Sequence, residues 1–227
     1  MVNLIRKLVS KALKGGFTKK ATALLSPVSE PLELLPDCPE LFKAYRRLIR
    51  HPELERVAGG GISKGRFYPD YLTVGGAGCA IFRVASGYCK GKGIDIGAGY
   101  WPLPGAIPLD TERGPGVGRT VSDFDDGSLD CVFSSHCLEH IVQWRSVLAQ
   151  WVGKLKPGGI VFLYLPHPEC GIWHPGSPFV GDGHKWVPTP EAVSRALQEM
   201  GFEVVEKDEG PDAMMSFYIC ARKGTSR

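Results

Sequence analysis

From about residue 76 onward, short apolar runs alternate with amphipathic segments. Six runs have the length of buried strands: 93–96, 106–109, 129–135, 160–165, 202–206 and 215–221. Three segments place apolar residues at helical spacing: about 76–88, 136–155 and 189–200. Strands that alternate with helices and close on a hairpin predict an α/β fold, namely a doubly wound, mostly parallel sheet with a reversed last strand.

The N-terminal third has a different pattern, which predicts a helical extension and linker over residues 1–75, before a main domain at 76–223. Within residues 1–20, apolar positions at helical spacing accompany six Lys and Arg residues and no acidic residue. Such a helix can bind an anionic membrane surface or a protein partner, or it can pack on its own domain. The Pro- and acid-rich stretch at 26–40 predicts a linker, and GGGISKG at 59–65 predicts a flexible loop.

The segment KGIDIGAGYWPLPGAIPLD at 92–110 is the clearest candidate for a ligand site. Its first strand contains Asp95 and runs into a Gly-Ala-Gly turn, and its second strand ends at Asp110. A glycine turn between two strand tips is typical of a nucleotide pocket, because backbone can approach a ligand there. About ten residues separate the strands, too few for the crossover helix of a parallel unit. Residues 100–104 are therefore predicted to line the cleft without forming a helix.

Composition and charge narrow the classes of protein. The chain has 227 residues, of which 43% are apolar, enough for one packed domain, and its net charge of +3 is too weak to indicate a nucleic-acid partner. No stretch of about 18 apolar residues predicts a membrane span, and lysines interrupt the apolar stretch that a signal peptide needs. The seven cysteines are scattered and lack a CxxC pair, which favours a reduced, cytoplasmic protein.

Four motifs follow one another in the predicted sheet: GIDIGAG at 93–99, the strand tip Asp110, DGSLDCVFSSHCLEH at 126–140 and LKPGG at 155–159. Together they resemble the class I S-adenosylmethionine-dependent methyltransferases, in particular the methyltransferase type 11-like family. The resemblance implies a methyltransferase that uses S-adenosylmethionine as its cofactor. A NAD-dependent dehydrogenase is disfavoured, because Pro102 replaces the third glycine of its fingerprint and the crossover helix is absent.

The resemblance also implies roles for individual residues. It predicts eight cofactor-binding residues: Asp95, Gly97, Ala98, Gly99, Asp110, Asp123, Phe124 and Ser135. The glycine turn would contact the methionine end and the ribose, while Asp110 would accept hydrogen bonds from both ribose hydroxyls. Asp123 and Phe124 would contact adenine, with Asp125 and Asp126 as alternative acidic partners.

The third strand of the family is shortened in this chain. Residues around Thr120 and Val121 are expected to hold what remains of it. The acidic residue that the family carries in this strand aligns near Gly118, which has no side chain.

The acceptor is expected to bind at segment 165–186, which follows a predicted strand and is rich in tryptophan and histidine. The predicted catalytic residues are His136 and His167, as general bases where the acceptor must lose a proton, with His174 and His184 as further candidates. The expected acceptor is a small molecule or glycan that is methylated on oxygen or nitrogen. The alternative from another class is a non-catalytic binding or scaffold protein that keeps this fold.

Some side chains of segment 165–186 are of the types that bind metal ions. Four residues of the same segment could bind an ion: His167, Cys170, His174 and His184. Their spacing matches no compact metal motif, so no metal is expected. Glu139 and His140 are expected to orient the start of the following helix.

Overall fold

The computed structural model describes residues 55–57, 60–63, 65–69, 77–112, 114–177, 180 and 183–225. The chain divides into two compact units, Met1–Ala80 and Ile81–Arg227. The helix, linker and membrane or partner contact predicted for residues 1–40 lie outside the described residues.

The described residues before Asp70 form a three-stranded antiparallel sheet. Its strands are β1 (Glu55–Val57), β2 (Gly60–Ser63) and β3 (Arg66–Pro69). The prediction of a flexible loop at 59–65 within a helical extension is therefore wrong. Gly65 has a φ of 76° and forms the turn between β2 and β3, so glycines that suggested flexibility instead permit a tight hairpin.

The second unit contains a six-stranded sheet in the order β5-β4-β6-β7-β9-β8. Its strands are β4 (Gly93–Ile96), β5 (Ile107–Leu109), β6 (Leu129–Ser135), β7 (Leu155–Pro166), β8 (Phe202–Asp208) and β9 (Ser216–Lys223). β4 to β7 pair in parallel, whereas β9 is antiparallel to both of its neighbours. The predicted α/β fold with a reversed last strand is confirmed.

The helices are α1 (Gly78–Tyr88), α2 (Trp144–Gly153) and α3 (Pro190–Glu199). The Thr189 hydroxyl caps α3 by accepting from the amide of Ala192, at 3.2 Å. The helix predicted at 136–155 is shorter than expected, because His136 has a φ of 48° and a 3₁₀ turn (Leu138–His140) precedes α2. No helix among the described residues is long and apolar enough to cross a membrane.

The central strands are buried on both faces, which explains their near-continuous apolar sequences. On one face, the ring of Phe133 lies 6.0 Å from that of Phe82 in α1 and 5.9 Å from that of Phe162 in β7. Leu148 and Trp151 of α2 belong to the main apolar cluster of the sheet. This packing fixes the direction of the strands and hence the position of the loops that follow them.

Two cysteines form a disulfide, which the sequence did not predict. Cys89 follows α1 and Cys131 lies in β6, and their Cα atoms are 5.2 Å apart. The expectation that all cysteines are reduced is therefore wrong for this pair. The scattered spacing concealed the pair, because pairing depends on proximity in the fold rather than along the chain.

Candidate functional site

The turn after β4 is held closed by its own backbone amides. Gly97 N and Ala98 N donate to the carbonyl of Leu109, at 2.9 and 3.2 Å, and Gly99 N donates to Asp110 Oδ2 at 2.9 Å. Gly97 and Gly99 have φ values of 76° and 54°, which glycine adopts without strain. The three amides are thus used within the chain, and a ligand would meet this turn through close van der Waals approach.

Asp110 and the loop after it lie beside the glycine turn. Asp110 Oδ1 accepts from the amide of Glu112 at 2.8 Å, and Asp110 pairs with Val117 in an isolated parallel bridge. This bridge is what remains of the family's third strand, so the prediction of Thr120 and Val121 for this strand is wrong. Gly114 lies against the carbonyl of Gly99, where no Cβ could be placed.

Asp95 is buried in β4 and organises the loop between the two strands. Its side chain is only 1% exposed, and Oδ2 accepts from the amide of Leu103 at 2.7 Å. The pKa of Asp95 is raised to about 7, mainly because burial and the charge of Asp110 raise it by more than the hydrogen bond from Leu103 lowers it. Asp95 therefore clamps the segment that replaces the crossover helix.

The raised pKa of Asp95 predicts a pH-dependent stability. The folded pKa is above the unfolded value, so the contribution of the protonated group is full below about pH 4 and is lost as pH rises through 7. We expect Asp95→Asn to exceed the wild type in stability at pH 8, by up to about 4 kcal/mol, and to lack this loss. Urea unfolding at pH 5 and pH 8 measures it, with Asp125→Asn at an exposed carboxylate as the control. Equal pH dependence in wild type and Asp95→Asn would contradict the assignment.

The segment between β4 and β5 contains no helix, as predicted. Trp101 N donates to Ala98 O and Ala106 N donates to Leu103 O, each in an isolated turn. Leu103 is buried at 2% exposure, whereas Tyr100 is 48% exposed beside the glycine turn. Leu103 thus holds the segment in the core, while the Tyr100 ring remains partly exposed to solvent.

Asp123 and Phe124 are engaged in contacts of the chain itself. Asp123 Oδ2 accepts from the amide of Thr120 at 2.8 Å and so caps the 3₁₀ turn Val121–Asp123. The Phe124 ring packs on the main apolar cluster, with the ammonium of Lys92 5.9 Å from its centroid. Lys92 precedes β4, whereas the glycine turn follows it. The contact of Asp123 and Phe124 with adenine stays a prediction, and the proposed cofactor site is argued from the residues at the turn.

The tip of β6 carries Ser135 and His136. Ser135 pairs with Tyr164 of β7, and His136 lies in the left-handed region just beyond the strand. The hydroxyl of Ser216 donates to Met214 O, so His136 Nε2–H donates to Ser216 Oγ, at 2.9 Å. Burial, together with the neighbouring His184 and His140, lowers the pKa of His136 to about 3, so its ring is neutral.

A second group of titratable side chains surrounds Glu139, which is fully buried. Its Oε1 lies 3.7 Å from His136 Nδ1, 3.8 Å from His140 Nε2 and 3.8 Å from His184 Nε2. Burial raises the pKa of Glu139 to about 8, and burial lowers that of His184 to about 4. Backbone contacts hold the group together, since Glu139 O accepts from the amide of Lys185 at 2.8 Å.

The described residues of segment 165–186 include Trp173, which packs beside the tip of β6, on the carboxyl side of the sheet. The Trp173 ring lies 4.9 Å from that of His136, edge to face. His167 Nδ1 accepts from the amide of Glu169, and His174 Nε2 contacts Pro168 O. The four possible metal ligands of segment 165–186 do not come together around one point, because His184 lies against Glu139 instead.

Two features of the site were missed from the sequence. Val117 beside Asp110 is 53% exposed, and its signal was a lone apolar residue in a polar, glycine-rich loop. The approach of His184 to Glu139 had no sequence signal, because the two residues are distant along the chain.

The fold and this arrangement of strand tips define a class I methyltransferase. A family model described as "Methyltransferase domain" matches residues 77–207, more than half of the chain. The chain belongs to this methyltransferase family, and S-adenosylmethionine is its methyl donor, as the sequence motifs implied.

Solved structures share the fold at low sequence identity. An S-adenosylmethionine-dependent methyltransferase from Mesorhizobium loti is 17% identical, with a TM-score of 0.51 over 66% of this chain and 99% of its own. A possible histamine N-methyltransferase from Thermotoga maritima is also 17% identical, with a TM-score of 0.50 over 63% of this chain and 87% of its own. A search of curated protein sequences found no match.

Proposed function

We propose that this enzyme transfers a methyl group from S-adenosylmethionine to an oxygen or nitrogen atom of a small molecule or glycan. The observation that carries the proposal is the alignment of two regions along one edge of the sheet. The glycine turn and Asp110 follow β4 and β5, and His136 follows the adjacent β6. Cofactor and acceptor would therefore meet at the tips of neighbouring strands.

The residues at β4 and β5 fit the cofactor. A Cβ built on Gly99 meets no atom within 4 Å, so open space lies against this turn. The Asp110 carboxylate borders the turn, and each of its oxygens can accept a further hydrogen bond from a ribose hydroxyl. Val117 and Tyr100, both exposed, offer apolar surface for the adenosine on either side of Asp110. We assign Asp95 to positioning, since its carboxylate holds Leu103.

The bound cofactor supplies an activated methyl group on a sulfonium, so the protein mainly positions the acceptor and excludes water. His136 is neutral and donates from Nε2, which fits a group that shapes the pocket better than a base. His167 accepts at Nδ1, so its Nε2 carries the proton and can donate to the acceptor. We therefore assign both predicted catalytic histidines to acceptor positioning.

The acceptor side favours a small, neutral ligand. His136 is enclosed by the rings of Trp173 and Tyr164, at 4.9 and 5.4 Å. Within 165–186, Lys185 is the only Lys or Arg residue, so this segment offers no track of cations for a phosphate backbone. Aromatic surfaces with a few polar groups are typical of small-molecule sites.

Two measurements test the proposed function. Calorimetry should show one S-adenosylmethionine bound per chain, and a tritiated-methyl screen should label a small-molecule or glycan pool. Cofactor binding without transfer to any pool would favour the scaffold alternative. Label found only in RNA or protein would overturn the proposed acceptor class.

The apolar wall at Val117 gives a separate prediction. We expect Val117→Asp to weaken S-adenosylmethionine binding by about tenfold, because a charge would replace apolar surface against the adenosine. The melting temperature should change little, since the side chain is 53% exposed. Val142→Asp, at an exposed valine outside the proposed site, is the matched control. Unchanged affinity in Val117→Asp would remove this residue from the cofactor site.

A further inference from the structure

We propose that Glu139, His140 and His184 form a binding site for a divalent transition-metal ion beside the acceptor side of the enzyme. One ligand atom from each residue lies within 4.8 Å of the others, which no other group of such residues achieves in the part of the chain that the structure describes. The site is independent of the proposed cofactor contacts, which lie at β4 and β5.

Hydrogen bonds fix which nitrogen of each imidazole faces Glu139. His140 Nδ1 lies 2.9 Å from Gly183 O, and His184 Nδ1 lies 2.6 Å from Trp173 O. A carbonyl only accepts, so both Nδ1 atoms carry hydrogen and, in the neutral rings, both Nε2 atoms present lone pairs. Metal-binding histidines are typically held in this way, with the second nitrogen donating to a carbonyl.

Glu139 is the observation that points to a ligand. Its side chain is fully buried, and within the described residues neither carboxylate oxygen has a partner with full hydrogen-bond geometry; the amide of Glu139 itself is the one donor that lowers its pKa. Its Oε1 faces the lone pairs of His140 and His184 at 3.8 Å, an arrangement that is repulsive without a cation between them. A proton on Glu139 could serve only one of the rings, and 3.8 Å is too long for a hydrogen bond. A buried carboxylate without a partner is costly, and an ion would satisfy all three groups.

The distances suit a small transition-metal ion. Ligands about 2.1 Å from a tetrahedral ion lie about 3.4 Å from one another, so each Glu139–histidine pair needs to contract by only about 0.4 Å. The two histidine nitrogens, which lie within 4.8 Å of each other, need to approach by up to about 1.4 Å, which the exposed His140 ring can provide. Two imidazoles and one carboxylate favour Zn²⁺ or a similar ion over Mg²⁺ or Ca²⁺, which prefer oxygen ligands. Three protein ligands leave a position open, and His140, 45% exposed, provides a solvent-accessible side.

The place of the site suggests its use. His136 Nδ1 also lies 3.7 Å from Glu139 Oε1, and His136 stands at the tip of β6 against Trp173. An ion with an open position there could bind an oxygen or nitrogen of the acceptor and favour its deprotonated form. Neither His136 nor His167 is placed to take a proton from the acceptor. Such an ion would instead promote the loss of that proton.

The test uses the full-length protein after chelator treatment. Titration with Zn²⁺, followed by calorimetry, should show one ion per chain, and Co²⁺ should give the visible spectrum of a four-coordinate site. Glu139→Gln keeps the shape of the side chain and should weaken Zn²⁺ binding by about 100-fold or more, at least as much as the loss of an outer partner costs. His140→Ala should do the same without unfolding, since this residue is 45% exposed. His174→Ala, from the set weighed in the sequence, should bind Zn²⁺ like the wild type.

The proposal would be overturned if the wild type did not bind Zn²⁺ stoichiometrically, or if Glu139→Gln and His140→Ala bound Zn²⁺ as tightly as the wild type. Loss of binding in His174→Ala alone would place the ion elsewhere in segment 165–186 and overturn it as well. S-adenosylmethionine titrated into the chelator-treated protein separates this outcome from the proposed function. Cofactor binding that persists without Zn²⁺ supports the methyltransferase assignment whatever the metal result.

Discussion

Asp110→Ala is expected to weaken S-adenosylmethionine binding by about 100-fold or more, the largest effect on cofactor affinity of any substitution considered. A carboxylate that accepts from two ribose hydroxyls contributes roughly 1.5–3 kcal/mol per charge-assisted bond. The substitution also removes the acceptor of the Gly99 amide, which Asp110 Oδ2 holds at 2.9 Å. Calorimetric titration with the cofactor measures the change directly.

The comparison with Asp110→Asn separates the two contributions. Asparagine keeps one acceptor oxygen for the Gly99 amide but lacks the charge, so we expect a loss of affinity between that of the wild type and that of alanine. Glu203→Ala, at an exposed carboxylate of β8 at the opposite edge of the sheet, is the control and should bind normally. If Asp110→Ala bound within threefold of the control, Asp110 would have no role in cofactor binding.

The elements that were predicted correctly depend on contacts close in sequence. β4 begins and ends where the predicted run does, at Gly93–Ile96, because a strand buried on both faces favours a near-continuous apolar run, which only Asp95 interrupts here. α3 begins at Pro190 because Thr189 caps it and proline has the backbone angle of a first helical turn. Both are local effects, which a sequence displays directly.

The errors arise where tertiary contacts decide the backbone. His136 adopts a left-handed conformation that histidine rarely takes, and this breaks the helix predicted from apolar spacing. Its Nε2–H bond to Ser216, in a distant strand, holds it there. The local sequence contains no signal that predicts this contact. The same reason explains why the approach of His184 to Glu139 was not predicted.

The loop after Asp110 shows what a family sequence pattern cannot predict. The pattern indicated a third strand near Thr120, but in the structure the strand is reduced to the bridge of Val117 with Asp110. Residues after this bridge are free to turn toward the core, where Phe124 packs. A motif thus fixes the order of elements, while the length of a loop decides which side chains reach the site.

Gly97→Ala is expected to destabilise the fold by about 2–4 kcal/mol. The φ of 76° costs an alanine about 1 kcal/mol, and its Cβ would lie 2.6 Å from Cβ and Sγ of Cys137. Cys137 Cβ is tied to the backbone and cannot move aside, so relief requires a shift of the turn or of the tip of β6, at roughly 1–3 kcal/mol. Thermal unfolding should show a drop on the order of 10 °C.

Gly99→Ala is the matched partner of this substitution and tests the site rather than the fold. Gly99 has a similar φ of 54°, but its Cβ would meet no atom within 4 Å, so the stability should fall by only about 1 kcal/mol. The same methyl group would enter the space assigned to the cofactor, and we expect the S-adenosylmethionine affinity to fall at least tenfold. Normal affinity in a well-folded Gly99→Ala would show that the cofactor does not approach this turn. Together, the two substitutions distinguish the role of the turn in folding from its role in cofactor binding.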